Sequence, residues 1–242
     1  MDYLVFRLYG PMVSWGDIAV GETRNTHHGP TKSAILGLVA GCLGIERGEE
    51  ETHLAMASGY QLATAVQAGS TLRDYHTVQA PDSVGKFTYR SRRDELTIGK
   101  DRLGTVLSSR TYRTDAHALV VLRCTDTAPF TLAQLQSALQ QPKFIPFLGR
   151  KSCPLAAPMA PSIISAESIQ SALDKYDPII GIKPYEPQSF DIYWEGEQHD
   201  FAPLDNLQMH RIAQIELYDQ LKSRKRWQFE ARRVWFYPQE VA

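Results

Sequence analysis

Two spacings alternate along this chain and leave few folds open to it. "YLVFRLYG" (3–10) sets Leu4, Phe6 and Leu8 two apart, as a strand with one apolar face requires. "TKSAILGLVAGCLGI" (31–45) changes to helical spacing, with Ile35, Leu38, Val39, Cys42 and Leu43 on one stripe, Thr31 as N-cap and Gly44 as the stop. Strand spacing returns at "GYQLATAV" (59–66) and "HALVVLRC" (117–124). A capped helix follows at "TLAQLQSALQ" (131–140), with Leu132, Leu135, Ala138 and Leu139 inward and Pro142 beyond its end, and a fourth strand is expected near "APSIIS" (160–165). Strand–helix–strand, insertion, strand–helix–strand is the split βαβ order, so the expected fold class is α+β with a ferredoxin-like core. Gly10 and Pro11 are expected to stop the first strand, and Gly37 and Gly41, one helical turn apart, to let a neighbouring element approach closely.

The insertion, about 70–115, is polar and rich in cations: Lys86, Arg90, Arg92, Arg93, Lys100, Arg102, Arg110 and Arg113. "KFTYR" (86–90) and "ELTIG" (95–99) are expected to pair as a hairpin, and an insertion with such structure points to function. Past Gly181 the pattern becomes short aromatic strands, "FDIYWEG" (190–196) and "RRVWFYP" (232–238), around an expected helix at 209–221. The expected division is a core of 1–164 carrying the insertion, then a small β-rich extension, 165–242.

With 242 residues, 43% of them hydrophobic and 22% charged, a packed core is expected. "MDYLVFRLYG" lacks the features of a signal peptide, no apolar run is long enough to cross a bilayer, and Cys42, Cys124 and Cys153 show no paired spacing, so a cytoplasmic protein is expected. The net charge of −1 hides segregation. Residues 165–200 hold Glu167, Asp174, Asp177, Glu186, Asp191, Glu195, Glu197 and Asp200 against Lys175 and Lys183; residues 222–233 hold Lys222, Arg224, Lys225, Arg226, Arg232 and Arg233 against Glu230. Such runs are either ordinary solvated faces or separate surfaces for a polyanion and for a protein.

The candidate chemistry centres on "KFIPFLGRKSCPL" (143–155), with three cations, two aromatic rings and no acid. Cys153 has Arg150 and Lys151 beside it but no histidine partner in pattern, so a buried structural thiol is favoured over a nucleophile. A phosphate-binding P-loop needs a glycine where Phe144 stands and an unbroken Gly-Lys pair where Arg150 intervenes. His27, His28, His53 and His76 fit no metal-ligand spacing, so no metal or other cofactor is expected. What remains is a nucleic-acid grip: Gly149 opens the backbone to phosphates, Arg150, Lys151 and Ser152 supply charge and hydrogen bonds, and Lys143 stands in the same loop. Phe144 and Phe147 serve either as stacking faces or as core anchors. The combination recurs at "LRDYHTV" (Arg73, Tyr75, His76) and "SSRTYRTDA" (Arg110, Tyr112, Arg113), while "GPTKS" puts Lys32 and Ser33 at a helix N-terminus.

"GPMVSWG", "PTKSAILGLVAGCLGI", "LRDYHTV" and "FLGRKSCPL", in that order over residues 1 to about 161, closely resemble the CasD family of the type I-E CRISPR surveillance complex Cascade, within the RAMP superfamily; a shorter echo returns at "WQFEARRVWFY". The resemblance implies an RRM-like core whose glycine-rich loop is the "FLGRKSCPL" segment and an insertion acting as a thumb across the guide. It implies binding of the 5′ handle of the CRISPR RNA and, as neighbours, CasC backbone subunits and the large CasA subunit, with target DNA met only through the complex. By position, Lys32, Ser33, Arg73, Tyr75, His76, Arg110, Tyr112, Gly149, Arg150, Lys151 and Ser152 become the expected RNA contacts. The thumb and the C-terminal part, with its "LKSRKRW" cluster, are longer than the family pattern, and the cluster is left open among RNA, DNA and a partner. A non-catalytic RNA-binding subunit is expected; the alternative is a metal-independent endoribonuclease that processes the repeat, as a related branch of the superfamily does.

Overall fold

The computed structural model describes residues 1–19, 21–81, 88–177, 190–202 and 209–238. β1 (Asp2–Val13) lies between β5 (Leu103–Cys124) and β6 (Ser162–Ser165), antiparallel to both. β3 (Tyr60–Gln67) flanks β5 on its other side, and β7 (Asp191–Trp194), β9 (Gln228–Tyr237) and β8 (Ala213–Ser223) continue the same sheet, in the order β6-β1-β5-β3-β7-β9-β8. β2 (Thr23–Arg24) and β4 (Ser70–Pro81) pair with the first half of β5. The helices are α1 (Lys32–Leu43), α2 (Glu50–Gly59), α3 (Arg92–Leu96), α4 (Leu132–Gln140) and α5 (Ile169–Asp174).

Both faces of the central sheet are buried. Leu4, Phe6, Leu8, Val120 and Leu122 pack against Ile35, Val39, Met56, Leu135 and Leu139 of α1, α2 and α4. Tyr3, Val5, Leu119 and Val121 pack on the opposite face against Ile169 and Leu173 of α5, Tyr176, Trp194 and Phe201. The caps form as the sequence requires: Thr31 Oγ1 accepts from the Ala34 amide, Gly44 ends α1 at φ +82°, and Thr131 with Gln134 makes a capping box on α4. No helix among the described residues is long and apolar enough to cross a membrane.

Several expectations are corrected. β1 runs through Gly10 and Pro11 to Val13. Proline has no N–H for the ladder, and the partner strand adapts with Asp115 in the left-handed region (φ +55°) between the paired residues Thr114 and Ala116. Residues 213–223 are strand β8 where a helix was expected: Ile215, Leu217 and Leu221 also satisfy a period of two, and pairing with β9 decides between the two periods. The hairpin in the insertion forms between Ser70–Pro81 and Leu103–Thr114 of β4 and β5, and neither 88–90 nor 95–99 is a strand. Glu95 and Leu96 instead belong to α3, capped by Ser91 Oγ accepting from the Asp94 amide. Lys86, Phe87, Lys183 and Glu186 lie outside the described residues. A Cβ on Gly37 or Gly41 would meet nothing within 4 Å among the described residues, so no neighbour packs into the space left by the missing side chain. α2, with His53, Met56 and Ala57 buried, has no counterpart in the expected element order.

Candidate nucleic-acid interface

Leu148 and Cys153, both fully buried, anchor the loop 147–154. The Leu148 amide donates to the Cys153 carbonyl (2.8 Å), the Cys153 amide to the Arg150 carbonyl (2.8 Å), and the Ser14 amide to the Leu148 carbonyl (3.1 Å). Gly149 sits at φ +84°, so close to β1's end that a Cβ would lie 1.6 Å from the Ser14 carbonyl oxygen. The "GPMVSWG" and "FLGRKSCPL" motifs are therefore one structural unit. Gly149, Lys151 and Ser152 face solvent, and the amides of Arg150, Lys151 and Ser152 donate to no protein group among the described residues. Three consecutive open amides beside a lysine make a concavity suited to phosphate oxygens. Burial pushes the Cys153 thiol up, against the opposing pull of Ser152 and Arg150, so this sulfur is held as an inert thiol.

The hairpin's pleat sorts its candidates onto two faces. Asp74 pairs with Arg110 and His76 with Ser108, so these share the face of Tyr112; Arg73 pairs with Thr111 and Tyr75 with Ser109, on the other. Arg24 of β2 lies opposite Arg110 in register, a cation absent from the expected contacts; only the β2–β5 pairing brings it there. The Arg73 Nε donates to Ser109 Oγ (2.8 Å), and Tyr75 is 60% exposed. His76 Nδ1 is 3.4 Å from Asp74 Oδ2. Tyr75 and His76 cannot converge on one scissile bond.

Three expected contacts are corrected or refined. Tyr112 is buried (5% exposed) in the core, with the Arg150 guanidinium 4.7 Å above its ring, so it orients Arg150 and offers no open stacking face. The Arg150 Nη1 is buried without a hydrogen-bond partner among the described residues. Lys32 is 5% exposed: its Nζ contacts Glu195 Oε1 (2.9 Å) and its amide donates to Asp219 Oδ2 (2.7 Å), so it cannot grip RNA. Ser33 sits beside it, 3.2 Å from the Thr31 hydroxyl. Lys143 is exposed, its amide donating to the Cys42 carbonyl (2.9 Å), and Phe144 and Phe147 are exposed too, which rules out the core-anchor role for both.

Lys32 belongs to a buried ionic chain. Arg232 makes two 2.8 Å hydrogen bonds to Asp219 and a 3.3 Å contact to Glu195, whose other oxygen accepts from the Leu62 amide (2.7 Å). Burial alone would raise the Asp219 carboxyl, but Arg232 and the Lys32 amide and charge outweigh it and hold it below its usual range. One acidic and one basic run thus meet inside the protein at Glu195 and Arg232, tying β7, β8 and β9 to the start of α1.

The histidines are dispersed: His27 is 3.4 Å from Asp17, His28 2.6 Å from Asp191, and His53 is buried with Nε2 3.0 Å from the Glu46 carbonyl. Among the described residues no three His, Cys, Asp or Glu side chains gather to hold a metal ion.

A family model described as CRISPR-associated protein (Cas_Cas5) matches residues 3–235. The chain is 34% identical over 189 residues to the CRISPR system Cascade subunit CasD of Escherichia coli (strain K12), covering 74% of this chain and 79% of that protein. Among solved structures it is similar to a chain of a CRISPR RNA-guided surveillance complex (TM-score 0.64, 21% identity, 99% of this chain and 90% of that one). It is also similar to a Cas protein (TM-score 0.60, 25% identity, 97% and 93%). Sheet, loop and matches together define a CRISPR-associated protein. More narrowly, the chain belongs to the CasD/Cas5 family.

Proposed function

We propose that this chain is a non-catalytic subunit of a Cascade-type surveillance complex and that it holds the 5′ handle of the CRISPR RNA. The observation that carries the reading is the loop 147–154: Arg150, Lys151 and Ser152 present open amides on buried anchors, with the Arg150 and Lys151 charges beside them and Arg150 over the ring of Tyr112 of β5. The sheet order β6-β1-β5-β3, antiparallel throughout, supports a ferredoxin-like, RAMP-type core within 1–164, with the β4–β5 arm as its thumb and 165–242 as an extension. In this reading the arm lies across the guide, CasC backbone subunits and the large CasA subunit are the neighbours, and target DNA is met through base pairing with the guide. The placement of Tyr75 and His76 on opposite faces of β4 supports holding over cutting.

Incubation with end-labelled repeat RNA in EDTA, read on native and denaturing gels, tests this. Salt-sensitive binding of intact RNA, weakened about tenfold or more by Arg150→Ala with Lys151→Ala, is the expected result. Cleavage at one position, abolished by Tyr75→Phe or His76→Ala, would make the chain the processing nuclease.

A further inference from the structure

The basic run at 222–233 is sorted by the fold into paired and unpaired charges. Arg232 is buried with Asp219 and Glu195, Lys222 lies 3.8 Å from Glu230, and Arg233 lies 3.5 Å from Glu216. Arg224, Lys225 and Arg226, in the turn between β8 and β9, have no carboxylate within ion-pair distance among the described residues, and neither does Arg47 from the α1–α2 linker. Two of them, Arg47 and Arg224, lie over the ring of Trp227, the residue that follows Lys225 and Arg226 in the turn. Trp227 is 54% exposed, with the Arg224 guanidinium 4.6 Å and the Arg47 guanidinium 5.0 Å from its ring centroid and Phe229 edge-on at 5.4 Å.

The turn is held rigidly. The Glu50 carboxylate accepts from the Ser223 hydroxyl (2.7 Å) and from the amides of Arg224 (3.0 Å) and Lys225 (2.6 Å), so the nearby acid holds the turn's backbone and makes no ion pair with the Arg224 guanidinium. Trp227 occupies the left-handed region at φ +55°, which a bulky L-residue adopts only at a cost. Arg224 Nε is buried without a partner among the described residues, and burial together with Arg47 lowers the Arg224 pKa against the opposing charge of Glu50. Two like charges drawn together over one ring, one with an unsatisfied donor, are an arrangement that a bound anion relieves.

We propose that Arg47, Arg224, Lys225, Arg226 and Trp227 form a second site, which binds the phosphates and a base of single-stranded nucleic acid. Cations alone would suffice for an acidic polypeptide; an exposed indole among unpaired guanidinium groups suits a ligand that alternates flat apolar rings with negative charge. The site is separate from the 147–154 loop, which packs on β1 while β8 and β9 end the sheet order on the other side of β5 and β3. The proposal holds whether or not the loop grips the handle.

The test uses the full chain carrying Arg150→Ala and Lys151→Ala, with handle-free 12-mers of RNA and DNA containing 5-iodouracil. The expected result is a photocross-link on the peptide bearing Trp227, and an affinity at least tenfold lower after Arg47→Ala with Arg224→Ala. Lys225→Glu with Arg226→Glu, both exposed and uninvolved in packing, should weaken binding to a similar extent, while Trp227→Phe should retain more binding than Trp227→Ala. Comparing the RNA and DNA arms identifies the strand preferred. Unchanged affinity in every variant, cross-links confined to other peptides, or displacement by polyglutamate as effective as by oligonucleotide at equal charge would overturn the proposal. Handle binding, measured on the chain with the intact loop, reports separately on the reading above.

Discussion

At Gly149 a methyl group decides the outcome. An L-residue there meets both the left-handed backbone penalty, about 1–2 kcal/mol, and the Ser14 carbonyl. Gly149→Ala should therefore weaken RNA binding roughly as much as Arg150→Ala with Lys151→Ala while circular dichroism stays native, because the distortion is confined to the loop. His117 offers a second test. Burial, with Arg7 behind it and Asp115 opposing, pushes its imidazole down to about 4, and its Nε2 has no partner among the described residues. Between pH 6.5 and 4 the unfolded chain takes up a proton that the folded one refuses, so stability falls as pH drops through that window, by roughly 3 kcal/mol at its full extent. Urea midpoints at pH 7 and pH 5 should show the fall, and His117→Gln should flatten it. Residue types alone revealed which loop carries charge and glycine together, but not that Tyr112 and Lys32 are buried. An aromatic and a cation look alike in sequence whether they face a ligand or an internal partner, and the partners Arg150 and Glu195 lie 38 and 163 positions away.

At the scale of elements, the arm separates cleanly from the core. Neither α3 nor the 3-10 turn at Lys100–Arg102 buries a residue, whereas β4 and β5 pair in register from Ser70–Thr114 to Pro81–Leu103. Replacing 82–102 with an Asn-Gly turn should leave thermal stability within about 1 kcal/mol of the parent by calorimetry. A large loss would mean that the tip contributes to the core. Strong periodicity made β1, α1, β3, α4 and the second half of β5 legible, since each repeats its apolar spacing over two or more turns or pleats. The spacing failed at 213–223, where Ile215, Leu217 and Leu221 serve a helix and a strand almost equally, and at 95–99, where local β-propensity hid a helix capped by Ser91.

Across the whole molecule, the C-terminal strands are built into the sheet that carries the core, and the Lys32–Glu195–Arg232–Asp219 chain fastens them. Leaving a buried charge with no partner costs about 3–5 kcal/mol, and Arg232 reaches that limit only when both of its carboxylates are gone. Asp219→Ala and Glu195→Ala should each lower the urea midpoint, and the double variant should lose more than the sum, since only it leaves the buried Arg232 with neither carboxylate. Charge segregation in the sequence suggested two surfaces; the structure turns part of it inward, which only long-range contacts could reveal. β5 has a further consequence. A single strand of 22 residues serves first as the arm and then as the middle of the sheet, without a joint in its pairing to β1 other than the left-handed Asp115 opposite Pro11. At about 3.3 Å per residue the paired arm reaches roughly 40 Å from that point. A load on the tip is therefore delivered by lever action to the centre of the fold, and the one kinked residue at the fulcrum sets the direction in which the arm is aimed.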